Sequence, residues 1–200
     1  MPVSPSVVRI KQTLIDLCKV IPLESISVNL LLEKSKVSKT TFYKHFKDMD
    51  FLWHTISHDF IYSMGHLHKS IQLTPSSLPI NNSKKDIQKM SALPTIEYCK
   101  YNADFIYANR KVFAILLEEH HDRWFLSQWS QMIKTFLSAQ LLMKGIDSTR
   151  ANKVANALSY SYISGCLNDI KHDGKEEIYD SIYTVIDIIF HYQNFHNPNK

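Results

Sequence analysis

SVNLLLEKSKVSKTTFYKHF, from Ser27 to Phe46, is the stretch that decides how the N-terminal part of this chain folds. Ser27 and Ser38 stand eleven residues apart, each preceded by a β-branched apolar residue and followed by a short helical pattern. A serine oxygen just before a helix accepts a hydrogen bond from a backbone N–H that the helix itself leaves unsatisfied. Ile26 can then pack on Leu31, and Val37 on Phe42, as hydrophobic staples across the two helix starts. The spacing predicts two short helices joined by a tight polar turn, a helix-turn-helix, with Thr40, Thr41, Tyr43, Lys44 and His45 carried on the second.

Between Lys34 and Lys47 the chain has five lysines, at positions 34, 36, 39, 44 and 47, and no carboxylate, a local charge of +5 closed off by Glu33 and Asp48. Cations in this density suit phosphate, because neutralised phosphates release condensed counterions. The second helix of a helix-turn-helix is also the one that enters the major groove. A solvated basic face is the plainer reading of such a run. The paired caps and the interleaved aromatics weigh against it.

VSKTTFYKHFKD, Val37 to Asp48, resembles the signature of the TetR family of transcriptional regulators, whose usual pattern is near V-S-x-x-T-[FL]-Y-x-[HY]-F. The preceding PLESISV, Pro22 to Val28, is similar to a branch common in Gram-positive bacteria in which Pro replaces the usual Gly. The resemblance implies that Tyr43 and His45 clamp the phosphate backbone and that Thr41 sits on the backbone or a base edge. It also implies that Lys39, Thr40 and Lys44 face the groove, with Ser38 and Lys47 completing the DNA-contacting set. Three residues depart from the pattern: Lys36 for the Gly that ends the first helix, Leu32 for a small residue, and Met49 for a phosphate-contacting Lys. Lys36 is then expected in a left-handed conformation that a Gly would adopt at lower cost.

The 200 residues include only four Gly, are 44% hydrophobic and 12% aromatic, and show repeated 3.6-residue apolar stripes with no long alternating pattern. This predicts an all-α protein with a packed core. Basic excess is confined to the N-terminal part: residues 1 to 70 carry +3, 71 to 94 carry +2, and 95 to 200 carry −1. The C-terminal part therefore has no electrostatic reason to bind nucleic acid. Cys18, Cys99 and Cys166 are odd in number and far apart, which fits neither a CxxC site nor a disulfide framework and suits a reducing cytoplasm. The longest uncharged run, Val154 to Asn168, has 15 residues and several Ser, too short and polar to span a bilayer. MPVSPSVVRIKQ lacks the apolar segment of a signal peptide.

Four regions are expected. Residues 1 to 47 form a three-helix DNA-binding head, whose first helix starts at Ser4, with Pro5 in its first turn, and runs until Pro22. A connecting helix over 48 to 71, capped by Asp48 and striped with Leu52, Ile56, Phe60, Met64 and Leu67, is a candidate lever. Residues 72 to 94, polar with three Pro, read as a flexible loop. Residues 95 to 200 form a helical sensor and dimerisation domain. Its expected helices are Thr95 to Ala108, Arg110 to His120, Asp122 to Lys144 ended by Gly145, one capped by Ser148 and ended at Asp173-Gly174, and Lys175 to about Gln193.

The last of these presents Ile178, Ile182, Val185, Ile186 and Ile189 on one side and Tyr179, Tyr183 and Phe190 on another. Such a wide apolar surface has to be covered from two directions, which predicts a partner subunit. A two-fold homodimer through the last two helices is also what the resemblance implies, with Leu158, Tyr162, Ile178, Ile182, Ile186 and Ile189 at the contact. Tyr98, Tyr101, Phe105, Trp124, Trp129, Tyr160 and Tyr162 could line a cavity for a small hydrophobic or aromatic ligand, although core packing explains them equally well.

No metal, cofactor or catalytic set is expected. His54 and His58 have an i, i+4 spacing but no third ligand, and the adjacent His120 and His121 of the Glu118 to Asp122 cluster cannot share a helical face. The expected function is a dimeric repressor that binds duplex operator DNA and is released by a small ligand in the C-terminal domain. The alternative is a C-terminal domain that answers to a protein partner.

Overall fold

The computed structural model describes residues 4–71, 84–119 and 122–191, with side chains for 4–65, 96–117, 122–189 and 191. These residues are all-helical, with no strand among them. The chain divides into two compact units, Met1–Tyr62 with Lys111–Phe125, and Ser63–Arg110 with Leu126–Lys200.

In the first unit α1 (Pro5–Cys18) starts behind Ser4 with Pro5 in its first turn, where the missing N–H has no partner to lose. It buries Ile10, Leu14 and Cys18 and packs across α2 and α3. Pro22 does not end it. The helix closes at Cys18, where the N–H groups of Val20 and Ile21 both donate to the Leu17 carbonyl, and a 3-10 turn follows at Leu23–Ser25.

The two serine caps form as the spacing requires. Ser27 Oγ accepts from Leu30 N at 3.2 Å to start α2 (Val28–Ser35), and Ser38 Oγ accepts from Thr41 N at 3.2 Å to start α3 (Lys39–His45). Ile26, Leu31, Val37 and Phe42 are all buried. Between the helices Lys36 adopts φ 55° and ψ 33°, the left-handed conformation expected of it. Asp48 Oδ1 accepts from Phe51 N at 2.8 Å at the start of α4 (Met49–Ile71), which buries Leu52, Trp53, Ile56 and Met64 and half-buries Phe60. Leu67 lies outside the described side chains.

Of the expected loop over 72 to 94, residues 72–83 lie outside the described residues. Its remainder is helix: α5 spans Lys84–Ala108 and runs through Pro94, whose missing N–H removes one helical hydrogen bond. The expected single helix from Arg110 is split into α6 (Arg110–Ala114) and a π-helical turn at Ile115–Glu119. α7 (Arg123–Met143) is capped by Asp122, whose Oδ1 accepts from Phe125 N at 2.9 Å, and Gly145 follows it at φ 79°. α8 (Ser148–Lys171) is capped by Asp147 rather than Ser148, which is its first helical residue; Asp147 Oδ1 accepts from Arg150 N at 3.0 Å. α9 spans Lys175–His191.

The isoleucine side of α9 is not what would face a partner subunit. Ile178, Ile182, Val185, Ile186 and Ile189 are buried within one protomer, because α5 and α8 pack along α9 from two sides. Tyr162 is buried too and Leu158 is half-buried. Of the residues expected at a dimer contact, Tyr162, Ile178, Ile182, Ile186 and Ile189 are therefore core. The intramolecular cover extends to the isoleucine side; on the other side Tyr183 is exposed and Tyr179 half-buried, and the Phe190 side chain lies outside the described residues. Toward the turn that joins them, the α8–α9 contact admits a polar pair: Asp169, almost fully buried, accepts from Ser181 Oγ at 2.6 Å. Ser181 also lies so close to Gly165 that a side chain at that position would meet its hydroxyl at 2.8 Å. Lys175 and Asp104 (2.7 Å), and Arg110 and Asp173, add ion pairs near the start of α9.

A lysine in the left-handed region costs about 1 kcal/mol that glycine avoids. Lys36→Gly is therefore expected to raise the unfolding free energy by roughly 0.5–1 kcal/mol, read as a shift in the denaturant midpoint at unchanged slope.

Candidate nucleic-acid interface

The face that α3 turns outward follows from what it turns inward. Phe42 is fully buried and Phe46 nearly so, their rings 5.6 Å apart, and both lie against the side of the head that α1 covers. With Val37, Phe42 and Phe46 inside, helical geometry puts Lys39, Thr40, Tyr43 and Lys44 outside. All four are exposed, Tyr43 by 50%.

Each expected contact residue has a distinct setting. Ser38 is exposed but committed, its hydroxyl capping α3 and lying 2.9 Å from Thr41 Oγ1. Thr41 is half-buried and held by that contact. Tyr43 stands edge-on to Phe42, with centroids 5.2 Å apart and planes at 85°, which props the phenol away from the core. Lys39 Nζ lies 6.0 Å from the Tyr43 ring, at the outer limit of a cation–π contact. His45 is half-buried beside Phe46 at 6.3 Å. Lys47, just past the helix, has 86% of its side chain exposed and is 4.0 Å from the Asp48 carboxylate.

Carboxylates answer only the ends of the basic run. Glu33 lies 3.6 Å from Lys34 and Asp48 lies near Lys47, both in solvent-exposed pairs worth little. Among the described residues no carboxylate pairs with Lys36, Lys39 or Lys44. The centre of the face therefore keeps its positive charge, with a phenol and a threonine hydroxyl between the cations. Such a set can hold phosphate oxygens by charge and offer donors to base edges.

The aromatics considered for a ligand cavity are divided between core and surface and between the two units. Tyr98, Trp129 and Tyr162 are buried in the second unit. Tyr98 stacks on Phe136 at 4.1 Å, and Trp129 meets Tyr162 edge-on at 6.4 Å. Burial pushes both phenols well above the usual tyrosine range. Phe105 is half-buried, Tyr160 is 63% exposed, and Tyr101 lies in a shallow surface hollow with Glu97, Lys100 and Asp104. Trp124 belongs to the first unit, where His54 and His58 lie against it at 5.0 and 6.0 Å.

Among the described residues no three His, Cys, Asp or Glu side chains gather as a metal-ion ligand set. His120 and His121 and the side chains of Glu118 and Glu119 lie outside the described residues. No described helix is long and apolar enough to cross a membrane. Sequence reading missed Asp122 as an individual: it sat inside a charged cluster, and the signal was its place directly before the apolar pattern of α7. Comparison of the chain with protein-family models and with curated proteins finds no match.

Burial pushes the Cys99 thiol up to about 12, and burial together with the nearby Asp169 carboxylate raises Cys166 as well. At pH 8 the Cys99 thiol is then overwhelmingly protonated. Native protein at that pH is expected to leave both thiols unmodified by iodoacetamide, and unfolded protein to yield both adducts by mass spectrometry. Rapid native-state alkylation would mean that this core opens.

Proposed function

We propose that the protein is a DNA-binding transcriptional regulator of the TetR type, a repressor that engages duplex operator DNA through α3. The observation that carries this reading is the outward face of α3, where Lys39, Thr40, Tyr43 and Lys44 are exposed and no carboxylate among the described residues neutralises the lysines. Ser38 fixes where α3 starts and Phe42 fixes its rotation, so the face is presented rigidly. In this reading Tyr43, His45 and Lys47 hold phosphates, while Lys39, Thr40 and Lys44 reach base edges.

A seven-residue helix spans few base pairs, and specificity then calls for two copies on half-sites about 34 to 36 Å apart. A homodimer meets that need. Pairing through α8 and α9 would use side chains that these helices leave outside, such as Tyr160, Tyr183 and Ile188, instead of the buried isoleucines. The second unit would receive the signal, and a small hydrophobic or aromatic ligand that binds one of two states better shifts the population away from the DNA-competent one.

One observation favours a second reading, in which the signal is a protein. Tyr98, Trp129 and Tyr162 are fully packed, whereas Leu126, Tyr160, Ile163, Leu167 and Lys171 border a groove of about 520 Å3 open to the surface of the same unit. Ligand and partner separate in one measurement. A hydrophobic small molecule that releases DNA from purified protein supports the first, and release only by added protein supports the second.

Duplex binding is expected to weaken steeply with salt, each phosphate neutralised adding about −0.9 to the log–log slope. Anisotropy titrations of duplex DNA at two ionic strengths check this, and a slope near zero removes the electrostatic basis of the reading.

Roles within the face should also separate. Tyr43→Phe and His45→Ala are expected to weaken all duplexes alike. Lys39→Ala and Lys44→Ala should change which duplexes are preferred, by about 1–3 kcal/mol per lost base contact. Selection from a random duplex pool with each variant decides it; altered preference in Tyr43→Phe with none in the lysine variants would reverse the roles.

A further inference from the structure

Only Phe46, Lys47 and Asp48 separate α3 from α4, so whatever holds the start of α4 also holds the outward face of α3. In the first unit one side of α4 is fastened to the segment around the start of α7. Ser57, fully buried, donates from Oγ to Asp122 Oδ2 at 2.5 Å. The other carboxylate oxygen of Asp122 accepts from Phe125 N, and its own N–H donates to the Leu116 carbonyl at 2.8 Å across the end of the π-helical turn. One residue thus joins α4, the π-helical turn and α7.

Aromatic contacts flank this bond. The Trp124 ring lies against His54 and is nearly parallel to His58 (13°), and Phe113 stands edge-on to both Phe60 of α4 and Phe125 of α7, at 6.2 and 5.7 Å. The segment Lys111–Phe125 consequently clusters with the helix-turn-helix and not with its sequence neighbours.

Two features make this contact releasable. Asp122 is half-buried and keeps some solvent contact, so water can replace Ser57 at its carboxylate without leaving a buried charge unsatisfied. A π-helical turn holds about one residue more per turn than the α-helix before it, and such single turns recur at functional sites. Shedding the turn at Ile115–Glu119 would rotate the chain that follows and draw Asp122 off Ser57.

We propose that Ser57 and Asp122 form a latch that sets α4, and through it α3, in the DNA-competent orientation, and that the π-helical turn is where a signal releases it. Asp122 is a positioning residue in this scheme, since it does not belong to the α3 face. The proposal rests on the DNA-binding reading for its consequence and on the hydrogen bonds of Asp122 for its mechanism.

The test pairs amide exchange with DNA affinity in the full-length protein. Ser57→Ala removes the donor without changing charge and suits a buried helical site. Asp122→Ser keeps one oxygen to cap α7 but cannot also reach Ser57. Each variant, compared with wild type well below its melting temperature, is expected to exchange amides faster in peptides from 39–47 and 49–62. Each should bind a duplex selected by the wild-type protein about tenfold more weakly, and the double variant no more weakly than either single one.

Unchanged exchange in those peptides overturns the latch. Faster exchange with unchanged affinity for the selected duplex overturns it as well, because the bond would then be structural only. If wild type selects no duplex, the DNA-binding reading fails, and exchange in 39–47 still decides whether Asp122 holds the helix-turn-helix in place.

Discussion

The left-handed turn at Lys36 constrains everything the first unit presents to solvent. α2 and α3 are eight and seven residues long, too short to be stable alone. Each survives because a serine satisfies its first turn and because Leu31 and Phe42 are driven into one shared core with Ile10 and Leu14 of α1. Both can reach that core only if the chain reverses sharply between them, which forces one residue to positive φ. Burying a side chain of this size is worth on the order of 1.5 to 3 kcal/mol, so the core more than offsets the strain at a lysine. The basic face of α3 is then the remainder: what lies opposite Phe42 must be outside.

A second constraint organises the other unit. α9 buries Ile178, Ile182, Val185, Ile186 and Ile189, and α5 and α8 cover that side together. A stripe in the sequence shows that a helix is buried without showing by which neighbour, and the expectation of a partner subunit arose there. The start of α5 was also placed by a local signal. With Pro94 taken as the end of a loop, a helix is expected from Thr95; the structure starts it at Lys84 and runs it through the proline.

Local devices were the legible part of the chain. Ser27, Ser38, Asp48, the positive φ of Lys36 and the inward Phe42 all follow from signals within about five residues. Where two adjacent residues could both cap, as at Asp147 and Ser148, the choice went to the wrong one by a single position. Long-range placement was not legible. Trp124 and Trp129 are one helix turn and a half apart on α7, yet Trp124 meets α4 in the first unit and Trp129 meets Tyr162 of α8 in the second. No periodicity carries that information. The π-helical turn has no distinctive composition either, since ILLEE reads as ordinary α-helix.

Among the described residues three aspartates start helices, and they are not equivalent. Asp48 and Asp147 each show one carboxylate oxygen accepting from the backbone N–H three residues on, at 2.8 and 3.0 Å. Serine or asparagine would serve as well at such a site, because one acceptor is all that a cap needs. Asp122 uses both oxygens, one on Phe125 N and the other on a buried hydroxyl 65 positions away in sequence. Only a carboxylate offers two acceptors with this geometry, and a charge-assisted bond to a buried donor is stronger than the exposed lysine pairs elsewhere in the head. The identity of the residue at 122 is thus set by the tertiary contact rather than by the helix it begins, whereas at 48 and 147 the helix start alone suffices.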